Sequence, residues 1–294
     1  MMKGIILATG SGNTFYPLSS VTSKYLLPIF DKPMIYYPLS TIIGAGIKEI
    51  LVISSPEDMP KIECLLGDGD FFGVEITYAA QETPVGIADA LILGEKFIGD
   101  DSVTLIWGDS VFIGADIKEH AFEAVIRAEL QGKSTIFSCY RHDPQRFSVL
   151  SFNDLGQVLA IEKKSTVPSS NYCVTGIYFY PNDVIQYAKQ LSPSMRGERD
   201  IVEINNIYLN RGSLYVDLFD NGFIWLSVSD IDKLFEATML VRSTEDHQHI
   251  SIGCIEAIAY SNGWISANDL YNQSITRKNR YTEYISKVVR NDIF

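Results

Sequence analysis

Cysteine is scarce in this 294-residue chain: there are four, at Cys64, Cys139, Cys173 and Cys254. No two stand close enough for a CxxC pair, so a zinc or dithiol redox motif is unsupported and ordinary reduced, buried thiols are expected. Long apolar runs are missing as well. No stretch reaches the roughly 18 residues that a membrane span needs. The run at 5–8 is too short for a signal-peptide core, and Gly10, Ser11 and Gly12 cut it off. Positive charge is the minority sign, with 24 Lys and Arg against 36 Asp and Glu and a formal net charge of -12. A broad phosphate-backbone binder needs the opposite balance. The expectation is therefore a cytoplasmic protein with neither nucleic acid nor membrane as partner. There is no internal repeat and no low-complexity linker. The four histidines, His120, His142, His247 and His249, are dispersed, and the nearest pair reads as a solvated helix end rather than a metal site.

What is present is a globular composition, 46% hydrophobic and 20% charged, enough for a sizeable core. Residues 3–8 form a short apolar run, the pattern of a strand buried on both faces, and it enters a Gly-Ser-Gly loop. Further strands are predicted at 49–54, 74–79 and 102–107. Helical spacing lies between them at 33–45, 58–66 and 86–97. Strands alternating with helices indicate crossover units and a mostly parallel sheet. After about residue 133 strands dominate, at 134–140, 148–152, 158–162, 175–180, 214–218 and 222–226, with helices at 183–190 and 201–211. From residue 230 onward the pattern is helical, with one short strand at 250–254. The domain reading is a core over 1–240, its nucleotide-binding half at about 1–133 and its second half at about 134–240, followed by a helical segment at 241–294.

In such a sheet a ligand binds beyond the C-terminal strand ends. Two loops qualify. Thr9 to Tyr16 is glycine-rich and can wrap phosphates with backbone N–H groups, although a tight turn without a ligand is the plainer meaning of Gly-Ser-Gly alone. Asp109 directly follows a buried strand, where it can serve as a hard-cation ligand or simply as a helix cap or Asx turn.

Several blocks in order carry a family resemblance. They are Ser23-Lys24-Tyr25-Leu26-Leu27-Pro28, Leu66-Gly67-Asp68-Gly69, Gly108-Asp109, Asp143-Pro144-Gln145-Arg146-Phe147, Val174-Thr175-Gly176, Gly222-Phe223-Ile224-Trp225-Leu226 and Asn262-Gly263-Trp264. The chain resembles the sugar-1-phosphate nucleotidyltransferases, and within them the thymidylyltransferase branch, over nearly its whole length. The resemblance implies an α/β, Rossmann-like, glycosyltransferase-A-like three-layer mixed sheet with a helical C-terminus. It implies a reaction in which a sugar phosphate attacks the α-phosphorus of a nucleoside triphosphate, helped by cations and Mg²⁺.

By resemblance, Lys24, Asp109 and Lys164 are the retained catalytic groups, with Asp109 also the metal ligand. Gly10, Ser11, Gly12, Gln81, Gly86 and Asp109 bind nucleotide. Gly108, Glu162, Lys164 and Val174 bind sugar. Three charged positions of the family pattern are replaced here: Thr14 stands for an arginine, Ser227 for the second metal aspartate, and Lys163 for the sugar-binding glutamate. Threonine has one hydroxyl where arginine has five donors and a permanent charge, and serine is a poor Mg²⁺ ligand. Tyr25, Val85, Asp89 and Ser148 depart from the pattern too. Around a second, regulatory nucleotide site of the family, Asn221 and Ser251 stand where basic residues are expected. Arg141, Arg146, Arg196, Arg199 and Arg211 read as surface or oligomer contacts.

These replacements predict a homologue with an eroded site, inactive or strongly impaired, that needs no cofactor. It would bind a nucleotide or nucleotide sugar, or regulate an active paralogue in a mixed oligomer. The alternative is an active transferase with a rearranged site, using Mg²⁺ held by Asp109 and phosphates, with Lys163 supplying the charge that Thr14 lacks. A homodimer or homotetramer is implied by resemblance.

Overall fold

The computed structural model describes residues 1–290 except 11, 83–85, 115, 195–196, 220–221 and 276–278. The predicted elements appear in order. The first half contains β1 (Met2–Ala8), β2 (Pro28–Ile29), β3 (Lys32–Pro33), α1 (Tyr36–Gly44), β4 (Glu49–Ser54), α2 (Met59–Leu66) and β5 (Glu75–Ala80). It continues through α3 (Ile87–Leu93), α4 (Glu95–Ile98), β6 (Ser102–Trp107), β7 (Ser110–Ile113) and α5 (Ile117–Gln131). The second half contains β8 (Ser134–Tyr140), β9 (Val149–Phe152), β10 (Val158–Glu162), β11 (Tyr172–Tyr180), α6 (Val184–Gln190), α7 (Ile201–Asn210), β12 (Leu214–Phe219) and β13 (Ile224–Ser227). Four helices follow: α8 (Ile231–Gln248), α9 (Ile255–Ser261), α10 (Ala267–Ile275) and α11 (Arg280–Val289).

Strands β5, β4, β1 and β6 lie side by side and parallel. The runs of β4, β1 and β6 are buried almost throughout because helices cover both sides, whereas β5, at the edge, leaves Glu75 and Ala80 exposed. Ile6 and Val52 pack on one side in a cluster with Tyr37, Ala124 and Ala237 of α1, α5 and α8. Ile5, Leu7, Leu51 and Ile53 pack on the other with Ala88, Val184 and Ile204 of α3, α6 and α7. Each of these isoleucine, leucine and valine side chains contributes about 1.5–3 kcal/mol when fully buried.

Strand β11 reverses direction and turns the sheet mixed. One of its edges pairs with β8. The other pairs antiparallel with β6 at 177–180 and with β9 at Cys173. Between those two pairings the edge forks. A Cβ on Gly176 would lie 2.4 Å from the Ser110 hydroxyl and 2.8 Å from the Trp107 ring. The loop that leaves β6, Gly108-Asp109, enters this fork. The C-terminal ends of the parallel strands therefore meet the second half of the chain at one place.

Three expectations need correction. Residues 250–254 are a turn and not a strand: the Ile252 amide donates to the Glu245 carboxylate at 2.8 Å, and Gly253 turns at φ 73°. The helix expected at 86–97 is two helices, divided at Gly94, where a Cβ would lie 2.7 Å from Ile5. Strand β7 and helix α5 fill a stretch for which no element was predicted; β7 pairs with β13. Helix α8 passes through residue 240 without a break, and α9, α10 and α11 share a small core of Cys254, Ala257, Leu270, Ile285 and Val288. Among the described residues, no helix is long and apolar enough to cross a membrane.

Candidate active site

The phosphate-side loop follows β1. Gly12 adopts φ 62°, a left-handed conformation that suits glycine, and caps the turn Asn13–Phe15. Tyr25 is buried beneath the loop. Its hydroxyl donates to the Thr9 carbonyl at 2.5 Å, and its ring leaves no space for a Cβ on Gly108. Burial and the nearby Asp109 carboxylate push its phenol up, so it stays neutral. The tyrosine that departs from the family pattern therefore ties the glycine loop to the end of β6.

Lys24 stands at the centre. Its Nζ meets Asp109 Oδ2 at 2.9 Å, and both side chains are nearly buried. A Cβ on Gly10 would lie 3.8 Å from the same nitrogen, so the loop backbone passes close to this cation. The cleft beside them, about 200 Å³, is also lined by Gln81, Glu57, Asp58 and Glu82. Gln81 is only 7% exposed, and among the described residues both its amide oxygen and its amide nitrogen lack a hydrogen-bond partner. A buried unpaired amide costs about 1–3 kcal/mol. An edge with a complementary donor and acceptor, such as a pyrimidine base, would satisfy it.

Gly86 approaches the backbone of Arg199 very closely: a Cβ there would lie 2.0 Å from the Arg199 carbonyl oxygen. The Arg199 amide donates to Asp89 Oδ2 at 3.1 Å, and its guanidinium pairs with Asp89 Oδ1. Asp89 thus holds the segment before α7 against the segment after Gln81. Ser11 and Val85 lie outside the described residues.

In the second half, Val149 of β9 pairs with Glu162 of β10 and with Cys173 of β11, so Glu162 and Val174, the expected sugar-binding positions, come to one end of the sheet. Val174 is buried, and its amide donates to the Ser148 carbonyl at 2.9 Å. Lys164 is exposed and makes no hydrogen bond or ion pair among the described residues. Lys163 is committed elsewhere, to Glu203 at 2.6 Å and Asp200 at 3.3 Å at the start of α7. Glu203 in particular raises its pKa. In this structure Lys163 is therefore paired at the start of α7 and not with the glycine loop.

Ser227 pairs with Ser110 at the end of β13, and the Val228 amide donates to the Asp109 carbonyl at 2.9 Å. The replaced metal-ligand position therefore adjoins the retained one. Thr14 is bound into the same group: its hydroxyl donates to the Ser229 carbonyl at 2.6 Å. Among the described residues, no three His, Cys, Asp or Glu side chains are grouped to hold a metal. Mg²⁺ commonly uses one or two carboxylates with phosphates and water. Asp109, with Lys24 on one of its two oxygens, fits that mode.

Sequence reasoning missed the arginines. Arg141 grips Asp143 through Nε at 2.8 Å and donates to the Trp225 carbonyl at 2.9 Å, a fixed structural role. Burial opposes ionisation of Asp143, yet Arg141 overcomes it and lowers the carboxyl pKa. Arg146 reaches the Ser229 hydroxyl at 2.7 Å, 83 residues away in sequence. No spacing rule could reveal that contact. Arg196 and Asn221 lie outside the described residues. Gly222, Ile250 and Ser251, from the segments expected to form a second site, line a separate cavity of about 840 Å³ whose described lining holds one cation, Lys118.

Comparison with known proteins shows the family and the fold. The family model described as nucleotidyl transferase matches residues 3–244. A glucose-1-phosphate thymidylyltransferase of Neisseria meningitidis is 44% identical over 290 residues, 98% of this chain and 100% of that one. Its namesake in Mycobacterium tuberculosis is 40% identical over 289 residues, covering 98% and 99%. A solved structure from Bacillus anthracis, described as a glucose-1-phosphate thymidylyltransferase in complex with a sucrose, superposes with a TM-score of 0.76. It is 38% identical and covers 82% of this chain and 96% of that one. A UDP-glucose pyrophosphorylase bound to UDP-glucose, 18% identical with a TM-score of 0.71 and coverages of 83% and 99%, shares the fold.

Proposed function

The chain belongs to the nucleotidyl transferase family, and from that premise we propose that it joins a sugar-1-phosphate to a nucleoside triphosphate, glucose-1-phosphate and dTTP being the first pair. The observation that carries this reading is the Lys24–Asp109 pair at the strand ends beside the unpartnered Gln81 amide. A sugar-phosphate oxygen attacks the α-phosphorus, the new O–P bond forms, the bond to the β-phosphate bridging oxygen breaks, and pyrophosphate leaves with that electron pair. The protein's task is positioning and charge stabilisation. Gln81 would read the base edge, and the Gly10 and Gly12 backbone would admit the phosphates. Lys24 would stand against phosphate oxygens, Glu162 and Val174 would border the sugar, and Lys164 would meet its phosphate. Asp109 would hold Mg²⁺, which neutralises charge developing on the phosphates.

The relatives' names support this active reading over the inactive one. A second reading keeps specific support from Ser227 beside Asp109 and from the uncharged Thr14: a protein that holds a nucleotide sugar without turnover, alone or with an active paralogue. Residues 241–294 would serve as a helical oligomerisation segment in either case, within a homodimer, homotetramer or mixed oligomer. The deciding assay is pyrophosphate release with Mg²⁺ across a matrix of nucleoside triphosphates and sugar-1-phosphates. Turnover with dTTP and glucose-1-phosphate is expected. No release from any pair, beside a working family enzyme, would leave the second reading.

A further inference from the structure

The cleft has a charge problem. Its described lining offers one cation, Lys24, which is already paired with Asp109, and three further carboxylates, Glu57, Asp58 and Glu82. A nucleoside triphosphate brings several more negative charges. One bound divalent ion and a half-neutralised lysine leave this balance unfavourable, so a further cation has to reach the phosphates.

Arg146 is placed for it. It sits on the turn Pro144–Arg146 that leads into β9. Its Nη2 donates to the Ser229 hydroxyl at 2.7 Å and to Asp230 Oδ2 at 3.2 Å. The carbonyl of that same Ser229 receives the hydroxyl of Thr14 from the glycine loop, and the neighbouring Val228 amide binds the Asp109 carbonyl. The guanidinium is thus one residue removed from Thr14 of the glycine loop and two, through Ser229 and Val228, from the backbone of Asp109. Arg141 cannot take this part, because three of its donors are spent on Asp143 and Trp225. Arg146 is held more loosely: its side chain is 36% exposed, and its second carboxylate partner, Asp143, stands at 3.9 Å. Asp230 does not depend on it, since its other oxygen caps α8 by accepting from the Lys233 amide at 2.9 Å.

We propose that Arg146 is the triphosphate-binding arginine of this chain, parked on Ser229 and Asp230 in the free protein and transferred to phosphate oxygens when nucleotide binds. The proposal rests on the nucleotide-binding reading above. A guanidinium suits the task because its planar fork matches phosphate oxygens and stays charged.

The test is calorimetric binding of dTTP and of thymidine to the full chain, alongside thermal denaturation. Arg146→Gln should weaken dTTP at least tenfold and leave thymidine unchanged. Arg146→Lys should retain part of the affinity, and Thr14→Arg in the Arg146→Gln background should restore it. Asp230→Asn keeps a capping residue while removing the competing charge, so it should tighten dTTP; it also tests the idea should Arg146→Gln fail to fold. A lower melting temperature for Arg146→Gln with unchanged dTTP affinity would make the arginine a structural clamp and overturn the proposal. Equal losses for dTTP and thymidine would overturn it too. A wild-type chain that binds dTTP through Arg146 yet releases no pyrophosphate upholds this inference and refutes the turnover reading. Turnover that is indifferent to Arg146 does the reverse.

Discussion

Gly86→Ala sets two opposing effects against each other, and the sign of the stability change tells which one wins. Gly86 has φ -60° and ψ 161°, a conformation open to alanine. On backbone grounds alone, replacing it should stabilise the protein by about 0.4–1 kcal/mol, through a less flexible unfolded chain. The surroundings argue the other way. The new Cβ would lie 2.0 Å from the Arg199 carbonyl oxygen and 2.5 Å from its nitrogen, and both are backbone atoms that no rotamer change can clear. Overpacking of this kind costs about 1–3 kcal/mol. Shifting Arg199 also loosens its bonds to Asp89, which are partly exposed and worth less than a buried pair. The net expectation is a loss of about 0.5–2.5 kcal/mol, which at about 2–4 °C per kcal/mol is a fall in melting temperature. Gly44→Ala is the control. It ends α1, a Cβ there meets nothing within 4 Å, and it should gain about 0.5–1 kcal/mol. Urea unfolding and thermal melts read both. A Gly86→Ala protein as stable as wild type, or more so, would refute the packing of the Arg199 segment on the nucleotide side.

Asp109→Asn should keep the fold by circular dichroism and cut pyrophosphate release at least about 100-fold, since the charge that pairs with Lys24 and would hold Mg²⁺ is gone. Ser227→Asp would place a carboxylate beside Asp109, and a Mg²⁺ titration of the rate should then reach half-saturation at about a tenth of the wild-type concentration; an unchanged midpoint would mean that Ser227 does not face the metal. Burial holds Glu256 above the usual carboxylate range, although the Tyr281 hydroxyl opposes this. The folded state therefore favours the protonated acid, and the stability this group contributes is full below the ordinary glutamate range and lost as pH rises through the raised value. Glu256→Gln should accordingly gain on wild type in melting temperature as pH rises from about 5 to about 8; parallel curves would contradict the burial argument.

Much of the fold was legible because local pattern and final environment agree. The runs at 49–54 and 102–107 carry no polar face, and helices do cover both of theirs. Where pattern and environment part, the reading failed. The residues at 250–254 are apolar and strand-like, but Glu245 captures the Ile252 amide and the chain turns. For the candidate site, the sequence supplied a list of positions; in the structure Lys24 and Gln81 line one cleft and Asp109 pairs with Lys24. The fate of the replaced positions was not legible in it. Lys163 looked like a spare cation, and it is paired with Glu203 and Asp200, about forty residues along the chain.

The sequence by itself determined the parallel core, the glycine loop after its first strand, the acidic balance, and which charged positions are missing, because these depend on residue type and short spacing. Only the tertiary structure decided which polar and charged groups meet around the cleft. Thr14 and Ser229 are 215 residues apart, Arg146 meets Ser229 across 83, and Arg199 meets Asp89 across 110. Such pairings arise from the fork where β11 leaves β6 and from the segment that leads into α7. Electrostatic partnership depends on distance in space, which no periodicity along the chain records.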